Sequence, residues 1–172
     1  MSYRLLAGLL SVALVAACSP ALPPVLGPQE AVSAPGAPSG TGSSEANRLV
    51  DLARSLLATP YRYSGSDSRG FDCSGLTSYL FRDVGLPLPR TAKSQASAGH
   101  WVAPDELRPG DLVFFGESRD KPHHVGLVVS DPGEPLTMIH ASSSRGVTQT
   151  EITSNSYWLP RLRFGRRVLG AR

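Results

Sequence analysis

Cys73 sits in Asp72-Cys73-Ser74-Gly75, and two histidine segments follow it, His123-His124-Val125-Gly126 and Ile139-His140-Ala141-Ser142. A thiol, a base and an orienting group held in three separate segments are the parts that nucleophilic acyl transfer needs. A neutral thiol is a modest nucleophile, but at a helix N-terminus beside an imidazole it becomes a thiolate at working pH. Sixteen positions separate His124 from His140, which suits adjacent antiparallel strands joined by the turn Asp131-Pro132-Gly133-Glu134-Pro135. If both side chains point to the same face of the sheet, they can touch.

The surrounding pattern supplies elements that could position these groups. Leu49, Leu52, Ala53, Leu56 and Leu57 recur at helical spacing, with Arg48, Asp51 and Arg54 on other faces, so a helix is expected from near Glu45 until Pro60 closes it. Tyr61 to Gly70 reads as a Gly- and Ser-rich loop. Asp72 is a good N-cap for a second helix that runs from Cys73 through Leu76, Tyr79, Leu80 and Val84 to Gly85, which puts Cys73 in the first turn. Thr91 can cap a short helix to about Ala98. Strands are expected over Leu112–Phe115, His124–Ser130, Leu136–His140, Val147–Ile152 and around Arg166–Leu169, with a bend or short helix over Tyr157–Leu162. Helices first, then consecutive strands with short turns, give an α+β fold with an antiparallel sheet.

Other titratable residues have plainer readings. Strand alternation sends His123 away from His124, to the surface, and His100 with Trp101 reads as a loop contact. Cys73, His123, His124 and His140 match no structural zinc spacing, so no metal is expected. The balance is mildly basic, 17 Lys and Arg against 14 Asp and Glu for a net charge of +3. Arg161, Arg163, Arg166 and Arg167 cluster near the C-terminus and could favour an anionic polymer or simply solvate a strand edge. No aromatic interleaving of the kind that reads nucleic acid accompanies them.

The N-terminus indicates the compartment. One positive charge, Arg4, precedes the apolar run Leu5–Ala17, which is short for a membrane span and ends in Val15-Ala16-Ala17-Cys18. This resembles the lipobox of bacterial lipoproteins, in which residues 1–17 are removed and Cys18 receives lipid (palmitate among it). The alternative is an ordinary secretory signal with Cys18 incidental. Residues 18–44, rich in Pro, Ala, Gly and Ser with the single charge Glu30, read as a flexible tether, leaving residues 45–172 as one folded domain. The chain holds two cysteines. With lipid on Cys18, Cys73 is a free thiol in an oxidising compartment, a liability unless chemistry requires it.

Six segments in order identify the chain as resembling a known family: Thr59-Pro60-Tyr61-Arg62-Tyr63-Ser64-Gly65; Asp72-Cys73-Ser74-Gly75-Leu76; Leu88-Pro89-Arg90-Thr91; Leu107-Arg108-Pro109-Gly110-Asp111-Leu112-Val113-Phe114-Phe115; His124-Val125-Gly126; and Ile139-His140-Ala141-Ser142. They look like the NlpC/P60 cell-wall cysteine peptidases and cover residues 45 to 169. The resemblance implies a papain-like α+β fold, Cys73 as nucleophile, His124 as general base and acid, and His140 as the residue orienting His124. It also implies Tyr61 near the oxyanion hole beside the Cys73 N–H, although Tyr61 could instead pack under its loop. Asp72, Ser74 and Arg90 are candidate substrate contacts, while Asp72 also reads as a cap and Arg90 as a surface charge. Ser64 departs from the family, which usually has glycine there.

The implied activity is hydrolysis of amide bonds in peptidoglycan stem peptides or cross-links, without a cofactor. The small lipoprotein layout resembles enzymes that cut the D-alanine–meso-diaminopimelate link, with the D-glutamate–diaminopimelate bond next. A non-catalytic wall-binding lipoprotein and a thioester acyltransferase on the same fold are the readings from other classes. Ser19 after the lipid cysteine is not aspartate, which suggests the outer membrane, facing the periplasm of a Gram-negative cell. Oligomeric state and any regulatory protease or adaptor are not encoded in these motifs.

Overall fold

The computed structural model describes residues 41–170, with side chains from residue 44 onward. The signal segment, Cys18 and nearly all of the tether lie outside the described residues. Helix α1 spans Thr41–Ser55 and buries Leu49, Val50 and Ala53. The apolar stripe read from the sequence continues to Leu57, but the helix stops at Ser55 and the chain turns through Ala58 at φ 67°, leaving Leu57 40% exposed. Ala58 N–H then donates to the Val147 carbonyl and Val147 N–H to the Thr59 carbonyl, fastening the turn to the far edge of the sheet.

The segment expected to be pure loop contains a hairpin of two-residue strands, β1 (Ser66–Asp67) and β2 (Gly70–Phe71). Asp67 anchors it by accepting from Arg62 and Arg69. Helix α2 (Cys73–Asp83) buries Leu76, Thr77, Leu80 and Phe81. Each fully buried large apolar side chain is worth about 2 kcal/mol, so these three hold the helix against the sheet more firmly than its helical propensity could. Helix α3 is one turn, Ala92–Gln95, capped by Thr91 and shorter than the sequence suggested. Buried Gln95 locks it to α2: its amide donates to the Ser74 and Pro89 carbonyls, and the Thr77 hydroxyl donates to its Oε1.

The main sheet has six antiparallel strands in the order β3-β8-β4-β5-β6-β7. They are β3 His100–Val102, β4 Leu112–Gly116, β5 Pro122–Val128, β6 Thr137–Ser142, β7 Gly146–Glu151 and β8 Leu162–Arg167. One face packs on the helices through Leu112, Phe114, Val125, Leu127, Ile139 and Phe164. The other carries a smaller cluster of Val113, Phe115, Val128, Met138 and Ile152. The α+β class and the antiparallel sheet are as expected.

Two strands differ from the sequence reading. His100 and Trp101 belong to strand β3, paired with Arg167 and Arg166, not to a loop. The last strand is Leu162–Arg167 rather than 166–169, preceded by a 3₁₀ turn at Leu159–Arg161. This strand buries only Phe164 and Gly165, so it shows no period-2 pattern in the sequence.

Candidate active site

Asp72 adopts an extended conformation, and its Oδ1 accepts the Gly75 N–H at 2.7 Å. The helix therefore starts at Cys73 and presents its thiol from the first turn. That turn lies against the Gly65 carbonyl, which also accepts the Asp72 N–H at 3.1 Å; a Cβ at Gly75 would collide with that carbonyl oxygen. Glycine at 75 is thus a condition for placing the nucleophile. Arg90 binds both Asp72 oxygens, at 2.6 and 3.0 Å, and reaches Ser74 Oγ at 3.0 Å. Asp72, Ser74 and Arg90 form one network behind the helix start.

Strands β5 and β6 bring the histidines together. Leu127 pairs with Ile139 and Val128 with Met138, a register that lays His124 and His140 on the same face. His124 Nε2 lies 2.9 Å from His140 Nδ1, and His140 Nε2 lies 3.1 Å from Thr150 Oγ1. With Nε2 of His124 engaged, its Nδ1 is the nitrogen left to take a thiol proton. That assignment requires His124 Nε2–H to donate to His140 Nδ1, and His140 Nε2–H to donate to the Thr150 hydroxyl. Thr150 lies on β7, where Thr148 is the direct partner of His140.

Trp158 covers the pair. Its ring lies 4.8 Å from His124 and 5.0 Å from His140, and meets Phe115 edge-on at 4.8 Å. Asn155 Oδ1 fixes this turn by accepting the N–H groups of Tyr157 and Trp158, both at 3.0 Å. Cys73, His124, His140, Tyr61, Arg145 and Trp158 line one open cleft of about 460 Å³. His123 is exposed, as alternation implies, yet stands at the rim of the same cleft. Among the described residues, no group of three or more His, Cys, Asp or Glu side chains is arranged to hold a metal ion.

Burial dominates the electrostatics. It pushes the Cys73 thiol up, assisted by the Asp72 charge, against the opposing pull of the Val125, Ser74 and Cys73 backbone N–H groups. Burial also pushes His124 down to about 3, with His140 and His123 adding to the shift. His140 falls to about 4, through burial first and the Arg145 charge second. Burial thus opposes the thiolate that the helix position favours and disfavours an imidazolium on either histidine. Tyr61 faces the cleft with its hydroxyl pushed up by burial, then by Cys73 and Asp72.

Sequence reasoning missed Thr150, Trp158, Asn155 and Arg145. The alternation of Thr148, Thr150 and Ile152 on a strand beside His140 was a usable signal for Thr150. Asn155, placed to cap the turn that holds Trp158, was a fainter one. Ser64, exposed at φ 57°, occupies the left-handed region that favours glycine, in the tight turn closed by Gly65 N–H on the Arg62 carbonyl.

Residues 58–167 match the NlpC/P60 family. The chain is 43% identical over 122 residues to the probable endopeptidase NlpC of Escherichia coli K12, covering 70% of this chain and 76% of that one. It is 36% identical over 124 residues to murein DD-endopeptidase MepS/murein LD-carboxypeptidase of the same strain, covering 72% of this chain and 63% of that one. Among solved structures, the peptidoglycan hydrolase RipB of Mycobacterium tuberculosis superposes with a TM-score of 0.64 at 28% identity, over 77% of this chain and 69% of that one.

Proposed function

The chain belongs to the NlpC/P60 family of cysteine-type peptidases that act on peptidoglycan, and on that premise we propose that it cuts the D-alanine–meso-diaminopimelate cross-link by a Cys73–His124–His140 mechanism. The observation that carries the mechanism is the hydrogen-bonded series His124–His140–Thr150, whose two histidines line the cleft with Cys73.

As the Cys73 sulfur attacks the amide carbonyl carbon, its proton passes to His124 Nδ1 and a carbon–sulfur bond forms. The Cys73 N–H and the Tyr61 hydroxyl receive the charge that develops on oxygen. Collapse breaks the carbon–nitrogen bond, and His124 returns the proton to the leaving amine. His124 then deprotonates a water that attacks the thioester, releasing the new carboxylate and restoring the thiol. His140 holds the ring plane and tautomer of His124 throughout. Trp158 keeps bulk water from that side, so the proton stays between sulfur and nitrogen.

The bond choice draws support from the 36% identical murein DD-endopeptidase and from the small lipoprotein layout. The same reading gives lipid to Cys18 and stands the domain on a tether from the outer membrane, facing the periplasm; Val15-Ala16-Ala17-Cys18 and Ser19 support it. The test is digestion of purified sacculi by the full chain beside Cys73→Ala, with mass spectrometry of the muropeptides. Loss of cross-linked dimers only with Cys73 intact is expected. Release of fragments cut after D-glutamate would move the assignment to that bond, and binding without cleavage by either protein would favour the wall-binding reading.

A further inference from the structure

The basic C-terminal cluster resolves residue by residue. Arg161 stacks 4.1 Å from the Tyr157 ring and donates to the Tyr157 carbonyl. Arg163 donates to the Pro160 and Leu162 carbonyls. Arg167 forms a half-buried ion pair with Asp111 at 2.8 Å and donates to the Glu106 carbonyl. Arg166 alone is left over. Its guanidinium lies 5.6 Å from the Phe164 ring, and its Nε is buried with no hydrogen-bond partner.

That Nε–H is sealed from solvent as well as unpaired, so the terminal nitrogens are what Arg166 can offer a ligand. Arg166 lies in a groove of about 460 Å³ on the helix-bearing face of the sheet, separate from the catalytic cleft. Trp101, its direct partner across β3 and β8, forms part of the wall, 48% exposed and with Arg119 5.7 Å above its ring. Lys93 from α3 and Arg119 from the β4–β5 turn bring two further cations, against one anion, Asp120. Among the described residues, none of the three cations forms an ion pair. The groove thus offers an excess of unpaired positive charge beside an aromatic platform.

The two terminal nitrogens of a guanidinium recognise a planar carboxylate with two parallel bonds. The exposed indole suits the apolar face of a sugar ring or peptide. We propose that this groove is a second binding site, which takes a carboxylate of the peptidoglycan strand outside the segment being cut. The proposal rests on peptidoglycan being the substrate. The groove is built on the same two segments that flank the catalytic site: α3 follows Arg90, which holds the nucleophile's cap, and Pro122 begins the strand that carries His124. A polymer spanning both would be held while one of its stem peptides is cut.

The test is co-sedimentation of the full chain carrying Cys73→Ala with purified sacculi across a salt series, which reads binding without turnover. Adding Lys93→Gln and Arg166→Gln is expected to raise the apparent Kd about tenfold and to flatten its salt dependence. Arg163→Gln, on the same strand with the same charge but outside the groove, is expected to leave Kd unchanged. Sacculi whose carboxylates have been converted to amides should bind weakly and show no difference between variants. Should they bind as tightly as untreated sacculi and still be displaced by inorganic phosphate, a carboxylate is not the ligand. Equal weakening by Arg163→Gln, or no weakening by the groove pair, overturns the proposal. If Arg166→Gln does not fold, Lys93→Gln with Arg119→Gln, both exposed, replaces it with the same criterion. Groove-dependent binding by a wild-type chain that cuts nothing would refute the cleavage reading alone. Cleavage with groove-independent binding would refute the groove alone.

Discussion

Thr150→Val removes one hydroxyl and replaces it with a methyl group of nearly the same shape, at a residue 7% exposed. The hydroxyl is the acceptor for His140 Nε2–H at 3.1 Å, and without it that buried donor is unpaired. Leaving a buried donor unpaired costs about 1–3 kcal/mol, enough to move the His140 proton to Nδ1 in a large fraction of molecules. Nδ1–H would then point at His124 Nε2, 2.9 Å away, and force the His124 proton onto Nδ1. In that tautomer His124 has no lone pair for the thiol. At about 1.4 kcal/mol per tenfold, the cost corresponds to a fall in kcat of roughly 5- to 140-fold. KM should change little, since Thr150 does not line the cleft. Steady-state kinetics on a cross-linked muropeptide dimer, with Thr150→Ser as the rescue, reads the split. Serine should return kcat to within about threefold of the parent, because the acceptor is restored. A folded Thr150→Val enzyme whose kcat lies within twofold of the parent would refute the tautomer argument.

Acid should destabilise the fold early. His124 and His140 are depressed to about 3 and about 4 from 6.5, so between those values the unfolded chain binds more protons. Their contribution is complete above pH 6.5 and is lost as pH falls towards 3, and urea unfolding at successive pH values should show stability dropping across that window; a flat profile from pH 7 to 4 would contradict it. Trp158→Ala opens the roof over both histidines and should cost about 2–3 kcal/mol. The NMR titration of His124 should also move up towards 6.5, whereas an unchanged titration would mean the indole does not keep water out. Ser64→Gly relieves a left-handed serine at φ 57° and should raise stability by roughly 0.5–1 kcal/mol in urea unfolding. A loss of stability would show that Ser64 is held there by contacts that outweigh the strain.

Local signals carried the site furthest. Asp72 as cap, Cys73 in the first turn and the hairpin joining His124 to His140 all depend on short stretches of chain, and each appears in the structure as the sequence implied. The register that lets the imidazoles touch follows from a single turn. Thr150 needed a second register, β6 against β7, and nothing local specifies it. Trp158 reaches the histidines from a segment beyond β7, through contacts that no periodicity announces. The strand at His100–Val102 is three residues long and exists only because Gly165–Arg167 lies beside it, so propensity could not separate it from loop. The forces on the thiol were only half visible: the helix position can be read from the sequence, whereas the burial that opposes it belongs to the assembled core.

The most direct test of Cys73 as the nucleophile is to quench a reaction of the full chain with a D-alanine–meso-diaminopimelate cross-linked dimer and map the protein by mass spectrometry. An acyl group on the peptide containing Cys73, formed and lost at the rate of turnover and missing in Cys73→Ala along with all cleavage, is the expected result. Cleavage that persists in Cys73→Ala at the parent rate would contradict it.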